Sequence, residues 1–287
     1  MAGTKIEWAD AVWNPITGCT PISEGCAHCY AQRMANRLAG RYGYPADNPF
    51  RVTAHHDRMK DPINWEKPKR IFVCSMGDIF HEDACDDFPV TQLRIFNLMN
   101  GLRRHTFMVL TKRPQNLQRF VALFFQDGKG KPESLPPNIW IGVTAENQAR
   151  ADERIPILLQ IPAAVRFVSI EPMLGPVDLN KRECLIDKRR FKYTIGRYLD
   201  WVICGGETGP GARTMHPEWV RGLRDQCQSA GVPFFFKQWG EWGPYISTPE
   251  HFPVKYWDDG IVSLKTGKKL SGRLLDGREW SEFPAKK

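Results

Sequence analysis

The stretch "TFMVLTKRPQNLQRFVALFFQ" (106–126) contains the unit from which the fold is predicted. An apolar run of strand-forming residues comes first, the polar residues Thr111, Lys112 and Arg113 follow it, and an amphipathic helical pattern begins at Pro114. Near-continuous apolar runs of this length are typical of parallel strands that are covered on both faces. The stretch therefore predicts one strand–helix unit of a parallel α/β fold.

The same unit recurs along the chain. Helical patterns separate further apolar runs, and a short strand around "AVWNPIT" (11–17) precedes them, which gives about seven β segments. The last of these helical patterns has Pro217 near its start and Gly231 just past its end, as a helix favours. The other runs are "RIFVCSM" (70–76), "NIWIGVTAEN" (138–147), "VRFVSIEP" (165–172), "WVICGGETG" (201–209) and "PFFFKQWG" (233–240). This alternation predicts a parallel sheet with helices packed outside it.

Polar or glycine residues follow nearly every run. They include Ser75, Asp78, Thr111, Lys112, Arg113, Thr144, Glu146, Ser169, Glu171, Gly205, Gly206, Glu207, Lys237 and Gln238. Polar groups at the carboxyl ends of successive strands are typical of a barrel mouth, whereas a doubly wound sheet concentrates them at one switch point. We therefore predict an α/β fold, a partial (βα) TIM-like barrel of six or seven units, over residues 1–245.

Two segments depart from this rhythm. A basic insert at about 175–199 follows Glu171 without a convincing amphipathic helix, and we expect it on the same face as the strand ends. Residues 246–287 are predicted to form a C-terminal extension packed on the barrel. Within it, "IVSLKTGKKLSGRLL" (261–275) suggests a hairpin across Thr266-Gly267.

Composition narrows the class of protein. The 287 residues carry a net charge of +8, which favours an anionic partner such as nucleic acid. The opening "MAGTKIEWADAVWNP" lacks a signal-peptide pattern, and no apolar run approaches the roughly 20 residues of a membrane span. We therefore expect a cytoplasmic protein with no membrane partner, in which eight cysteines favour metal or redox chemistry over disulfides.

Three cysteines lie close together in "GCTPISEGCAHCY" (18–30). Cys19, Cys26 and Cys29 have the spacing Cys-x6-Cys-x2-Cys on a loop rich in glycine, proline and hydroxyl residues. Buried structural cysteines would lie in an apolar pattern, which is absent here. A redox disulfide between Cys26 and Cys29 would leave Cys19 without a role.

Two metal sites remain as interpretations of this triplet. A zinc site would need a fourth ligand, for which the candidates are His28, His55 and His56. A [4Fe–4S] cluster can instead be bound by three thiolates, which leaves one iron open to a small-molecule ligand. We favour the cluster because no second pair of zinc ligands is visible in the sequence.

The triplet resembles that of the radical S-adenosylmethionine (SAM) superfamily. It follows a first strand, it is followed by Tyr30 and a helical pattern, and it belongs to a predicted partial barrel. The common spacing in the superfamily is Cys-x3-Cys-x2-Cys, so the first gap here is longer. The resemblance implies a [4Fe–4S] enzyme that cleaves SAM reductively to a 5′-deoxyadenosyl radical, which abstracts hydrogen from a substrate. It also implies an electron donor such as flavodoxin or ferredoxin.

A second resemblance extends over nearly the whole chain. The motifs that carry it are "WNPITGCTPISEGCAHCYA", "FVCSMGDIFHE", "FMVLTKRP", "NIWIGVTAEN", "FVSIEPMLGPVDL", "WVICGGETGPGARTM" and "FFFKQWGEW". They resemble a phage and bacterial family of unknown function that is labelled by phage gene-product numbers, the gene-product 37/68 phage family. This resemblance implies a radical-SAM-like barrel without a defined reaction.

The superfamily resemblance also implies which residues contact SAM. A motif after the second strand holds the amino group, a cation holds the carboxylate, and later strand ends hold the ribose. The corresponding residues are Ser75, Met76, Gly77 and Asp78 for the amino group, Lys112 or Arg113 for the carboxylate, and Thr144 or Glu146 for the ribose.

Three later residues are predicted to act on SAM or the substrate. Glu171 would contact the ribose or the substrate, Glu207 the adenine or the substrate, and Lys237 would supply a proton. The basic insert, Arg33 and Arg37 predict a nucleobase, nucleotide or nucleic-acid substrate, because phosphates and bases require cations and stacking surfaces. The alternative is a zinc- or cluster-stabilised nucleic-acid-binding protein without radical chemistry.

Overall fold

The structure is a computed structural model that describes residues 4–82, 88–126, 133–180, 182–186, 189–193, 198–244 and 252–285. Of residues 88–89, 182–186 and 189–193 it describes the backbone alone. The strands are β1 (Ala11–Trp13), β2 (Ile16–Thr17), β3 (Thr53–Ala54), β4 (Arg70–Val73), β5 (Thr106–Thr111), β6 (Ile139–Thr144), β7 (Arg166–Ile170), β8 (Arg182–Ile186), β9 (Arg189–Tyr193), β10 (Trp201–Gly205), β11 (Phe234–Gln238), β12 (Gly243–Pro244), β13 (Val254–Tyr256), β14 (Val262–Leu264), β15 (Leu274–Leu275) and β16 (Arg278–Glu279). The α-helices are α1 (Tyr30–Arg37), α2 (Phe88–Gly101), α3 (Pro114–Phe124), α4 (Gln148–Leu158), α5 (Pro217–Ala230) and α6 (Lys268–Ser271). No helix in these ranges is long and apolar enough to cross a membrane.

Seven strands form one parallel sheet in the order β1-β4-β5-β6-β7-β10-β11. Neighbours in space follow one another in chain order, so the sheet curls in one direction, with the helical connections on its outside. The sheet stays open between β1 and β11. The predicted fold class, a partial (βα) barrel with seven strands, is confirmed.

Alternate residues of the strands supply two separate cores. Side chains such as Val109, Ile141 and Val168 point outward and pack under the helices. Side chains such as Phe167 and Trp201 point inward and pack with other aromatic rings inside the curl of the sheet. Because both faces are buried, the strands have the near-continuous apolar character that the sequence shows.

Helix α5 illustrates how local sequence sets the bounds of an element. The imidazole of His216 accepts from the backbone N–H of Glu218, Pro217 occupies the first turn, and Gly231 ends the helix with a φ of 67°. Proline is suited to a first helical turn, and glycine adopts the left-handed conformation without steric cost. The helix predicted here from Pro217 and Gly231 is confirmed.

The segment after β7 contains an antiparallel hairpin of β8 and β9, and β8 packs beside α4. The strand–helix rhythm therefore breaks where the sequence predicts an insert. The basic side chains on which that prediction rests, from Lys181 to Arg197, lie outside the described part of the chain.

The predicted hairpin across Thr266-Gly267 is wrong, because helix α6 begins directly after Gly267. Strand β14 pairs instead with β13 and β12, and β15 pairs with β16 across Asp276-Gly277. Both of those turn residues have positive φ angles, 53° and 75°, as a two-residue hairpin turn requires. The backbone N–H of Gly267 donates to Glu241, which directs the chain into α6.

The end of the chain covers the edge strand β11. Phe235 and Ser281 form an antiparallel bridge, and the N–H of Phe236 donates to the carbonyl of Trp280 at 3.0 Å. The Trp201 indole donates to the carbonyl of Glu282 at 2.8 Å. An edge strand otherwise presents unpaired backbone groups, so this contact protects one side of the opening.

Candidate active site

The carboxyl ends of the parallel strands surround a cavity of about 580 Å³. The strand-end residues that line it are Asn14, Ser75, Met76, Gly77, Lys112, Ser169, Glu171, Gly206, Glu207, Lys237 and Gln238. The convergence of polar strand ends on a barrel mouth is therefore as the sequence predicts. Residues from Thr4 to Ile6, together with Trp8, line the same cavity, although no sequence pattern marks them as site residues.

The cysteine loop (residues 18–29) lies at one end of this cavity. Its first residue, Gly18, donates its N–H to the carbonyl of Met76 at 2.9 Å, so the loop starts beside the 74–78 turn. Cys19 and Cys29 line the cavity, and Cys26 contacts the lining residue Lys112. All three thiols are free.

Arg113 reaches the sulfur of Cys19 from behind the cavity wall. Its Nη1 donates to Sγ at 3.3 Å, and its Nε donates to Glu82 at 2.6 Å. Burial, assisted by the nearby Asp78 carboxylate, raises the pKa of the Cys19 thiol to about 12, and Arg113 offsets only part of this rise. Without a bound metal, Cys19 is therefore a thiol.

Cys26 has the opposite electrostatic balance. Lys112 Nζ donates to its Sγ at 3.4 Å, and the Ser23 hydroxyl lies 3.6 Å from the same atom. Burial disfavours the thiolate, but Lys112 and neighbouring hydrogen bonds outweigh it, so the pKa of Cys26 is lowered. Lys112 thus favours a thiolate at this position.

Glu146 anchors the middle of the cysteine loop. Its fully buried carboxylate lies 2.5 Å from Lys112 and 3.0 Å from Arg154, and it accepts from the Ser23 hydroxyl at 2.6 Å. Burial opposes its ionisation, but the two cations outweigh burial and lower the pKa of Glu146. Gly25 packs so closely on this carboxylate that a Cβ atom would overlap it.

A second set of contacts holds the far side of the loop. The Arg213 guanidinium forms two hydrogen bonds with the Glu207 carboxylate, at 2.6 and 2.9 Å, and a third with the carbonyl of Glu24 at 2.8 Å. Arg33 donates to the carbonyl of Thr208. Residues that follow β5, β6 and β10 therefore contact the cysteine loop and help to hold it in place.

An ion pair also lies on the cavity wall. Lys237 Nζ donates to Glu171 Oε1 at 2.7 Å, and both residues line the cavity. Burial lowers the pKa of Lys237, but Glu171 outweighs it and raises the pKa overall, so the side chain is an ammonium. The phenol of Tyr30, which also lines the cavity, hydrogen-bonds Ser75, and burial raises its pKa.

The predicted site residues divide into two groups. Ser75, Met76, Gly77, Lys112, Glu171, Glu207 and Lys237 line the cavity, whereas Asp78, Arg113, Thr144 and Glu146 lie behind its wall. The Asp78 carboxylate accepts from the Thr111 hydroxyl at 2.8 Å and from the Lys112 N–H at 3.1 Å. The carbonyl of Thr144 accepts from Arg154 at 2.8 Å.

Asn14 is a cavity residue that the sequence argument missed. Its amide oxygen accepts from the Ser75 hydroxyl at 3.2 Å and from the Met76 N–H at 3.1 Å. Asn14 directly follows β1, so the rule applied to the other strand ends would have identified it.

The candidate metal donors of this site are the three thiols of the cysteine loop. In the described ranges, no three His, Cys, Asp or Glu side chains converge closely enough to hold a metal ion as they stand. Of the predicted zinc ligands, His28 lines the cavity, His55 lies 2.7 Å from the Thr17 hydroxyl, and His56 is exposed. Three free thiols on one loop, two of them with cationic donors, fit the chemistry of a thiolate-bound cluster.

The fold and the site define a partial-barrel α/β protein with a three-cysteine loop at the barrel mouth. The chain belongs to the family described as "Protein of unknown function (DUF5131)", whose model matches residues 3–284. The phage gene-product label stays a prediction.

Two solved structures of substituted forms of spore photoproduct lyase are similar to this chain. One has a TM-score of 0.41 and 9% identity and covers 89% of this chain and 68% of its own. The other has a TM-score of 0.39 and 8% identity and covers 87% and 66%. No curated protein shows significant sequence similarity to the chain.

Proposed function

We propose that the chain is a radical SAM enzyme in which Cys19, Cys26 and Cys29 hold one [4Fe–4S] cluster. The observation that carries this proposal is the position of three free thiols on one loop, at one end of a cavity in the mouth of a partial barrel. When bound, such a cluster supplies an open iron at which SAM is cleaved reductively to a radical that abstracts hydrogen from a substrate.

The residues beside the cysteine loop are assigned to SAM. Ser75, Met76 and Gly77 line the cavity next to Cys19 and offer backbone groups to an amino group. Glu207 lines the cavity near the other end of the loop and suits the nucleoside part of SAM. Asp78, Thr144 and Glu146 lie behind the wall, so we assign them to support of these contacts.

The substrate is assigned to the other half of the cavity. Trp8, Phe72 and Leu110 supply its apolar wall, and the Glu171–Lys237 pair supplies a hydrogen-bond acceptor beside a donor. A planar heterocycle such as a nucleobase presents a complementary donor and acceptor on its edge, and its faces suit apolar walls. The net charge of +8 supports a nucleotide or nucleic acid as the molecule that carries this base.

Lys237 is assigned as the proton donor to the substrate. Its ammonium lines the cavity, where Glu171 holds it at 2.7 Å, and because Glu171 outweighs burial and raises its pKa, it would protonate only a strongly basic group of the substrate.

Anaerobic purification followed by metal analysis tests the proposal. We expect iron and sulfide in equal amounts, and release of 5′-deoxyadenosine after addition of dithionite and SAM. A colourless protein that contains zinc, binds nucleic acid and leaves SAM intact would contradict the proposal and establish the alternative predicted from the sequence.

Variants of single cysteines test the ligand assignment. Replacement of Cys19, Cys26 or Cys29 by alanine should abolish stable iron binding, because each removes one of three thiolates. The matched control is Cys227→Ala, which removes a buried thiol of α5 and should retain iron. Full iron content in any of the three loop variants would show that the assignment of that ligand is wrong.

A further inference from the structure

Two consecutive residues at the end of β5 contact two different thiols. Lys112 Nζ lies 3.4 Å from the sulfur of Cys26, and Arg113 Nη1 lies 3.3 Å from the sulfur of Cys19. Successive side chains of an extended segment point to opposite faces. Lys112 therefore reaches the cysteine loop along the cavity wall, and Arg113 reaches it from behind that wall.

The Arg113 guanidinium is fixed in this position. The side chain is only 3% exposed, and its Nη2 donates to the carbonyl and the hydroxyl of Thr20 at 3.2 and 3.1 Å. Its other contacts are Glu82 and Asp78, at 2.6 and 3.5 Å. With these partners the guanidinium is not available to a ligand in the cavity, although the sequence argument assigned it to the SAM carboxylate.

The Lys112 ammonium is fixed in a similar way. Its three N–H donors match three partners, which are Glu146 at 2.5 Å, Ser23 at 3.3 Å and the Cys26 sulfur. Arg154 holds the Glu146 carboxylate from its other side. The buried Glu146 thus holds Lys112 beside its sulfur, and the exposed Glu82 and the buried Asp78 hold Arg113.

We propose that Lys112 and Arg113 are positioning residues that act through the sulfurs of Cys26 and Cys19 and raise the reduction potential of the cluster. This role rests on the proposed function, because it requires that these cysteines hold the cluster. Reduction adds one electron to a group that three thiolates already make negative. Nearby cations and hydrogen bonds to sulfur favour the reduced form, and both are recognised determinants of cluster potential.

The test is a redox titration of the anaerobically purified protein, with iron content measured on the same samples. In Arg113→Met and Lys112→Met the cluster should remain bound, and its midpoint potential should move to more negative values. Arg113→Lys should restore part of the shift, because it returns the charge but not the full set of hydrogen bonds. Arg150→Met is the matched control, since Arg150 contacts the cysteine loop through the exposed Glu24 and touches no sulfur. Its potential should stay at the wild-type value, because Glu24 lies between Arg150 and the loop and solvent screens the partly exposed charge.

Iron-loaded Arg113→Met and Lys112→Met proteins with the wild-type midpoint potential would overturn the proposal. If Arg113→Met fails to fold, Lys112→Met and Arg113→Lys carry the test, and unchanged potentials in both would overturn it equally. A wild-type protein without iron would contradict the proposed function itself, which distinguishes that failure from a failure of this inference.

Discussion

Gly25 lies where the cysteine loop crosses the Glu146 carboxylate, and the space there admits no side chain. Glu146 cannot move aside easily, because it is fully buried between Lys112 and Arg154. Gly25→Ala should therefore lower the free energy of unfolding by about 1–3 kcal/mol, the range for overpacking a rigid site, and should reduce iron content. Urea unfolding and metal analysis check this result.

The control for that prediction is Gly222→Ala in α5. A Cβ at Gly222 meets no atom within 4 Å, so alanine should raise the free energy of unfolding by about 0.5–1 kcal/mol through its helix propensity. Equal stability and iron content in Gly25→Ala and wild-type protein would contradict the account of the loop.

For single residues, the sequence predicts the position in the fold but not the contacts. The position of Lys112 and Arg113 directly after an apolar run predicts that they lie at the mouth of the barrel. It does not identify the atoms that their side chains contact. Arg113 is held by Asp78, Glu82 and Thr20, which belong to other parts of the chain. Only tertiary packing decides between a sulfur and a cofactor carboxylate as the ligand of such a cation.

The short ribbon of β2 and β3 connects the start of the cysteine loop to residues 53–55. His55 is buried beside it, with its Nε2 2.7 Å from the Thr17 hydroxyl. Burial, together with the positive charge of Arg58, lowers the pKa of His55 to about 4. The folded protein therefore contains a neutral imidazole under conditions in which the unfolded chain binds a proton.

The sign of the resulting pH dependence follows from this difference. Between about pH 6.5 and pH 4 the unfolded state binds more protons at His55, so the free energy of unfolding falls as the pH falls. His55→Gln should lose less stability than the wild-type protein across this window, as measured by urea unfolding at a series of pH values. The exposed neighbour His56→Gln is the control and should follow the wild-type curve. Parallel curves for His55→Gln and wild type would refute the assignment.

The elements differ in how well their sequences specified them. Helix α5 carries its own boundary signals in Pro217 and Gly231, and the prediction succeeded. In the C-terminal extension a glycine led to a wrong prediction. Helix α6 begins directly after Thr266-Gly267, and Asp276-Gly277 forms the hairpin turn instead. A glycine permits several turn geometries, and the contact of Gly267 with Glu241 selects one of them.

At the scale of the whole molecule, the C-terminal segment is predicted to stabilise the open side of the barrel. The Trp280 ring is 8% exposed and packs between Phe234 and the guanidinium of Arg278. Trp280→Ala should lower the free energy of unfolding by about 3–5 kcal/mol, because it leaves a cavity beside the edge strand β11. Tyr256→Ala, at a ring that is 72% exposed, should change it by less than about 0.5 kcal/mol.

Urea unfolding of the two variants checks this prediction. If Trp280→Ala loses no more free energy of unfolding than Tyr256→Ala, the C-terminal segment does not support the barrel. The sequence predicted an extension packed on the barrel but not its contact with β11. That contact depends on which strand is left at the edge of the completed sheet.

The cavity is the part of the molecule that sequence reasoning recovered in outline only. Its strand-end wall follows from the repeated unit, since each polar residue comes directly after an apolar run. Its other wall includes Lys5, Ile6 and Trp8, and the Trp8 ring packs inside the curl of the sheet against Phe72 and Trp201. No local pattern encodes such a contact.

The electron paramagnetic resonance spectrum of the dithionite-reduced protein, recorded before and after addition of SAM, tests the central claim most directly. A cluster with three protein thiolates and one open iron should give a signal that changes when SAM binds, and the signal should be absent from Cys26→Ala. A reduced protein with no cluster signal, or with a signal that SAM leaves unchanged, would contradict the assignment of radical SAM chemistry to this barrel.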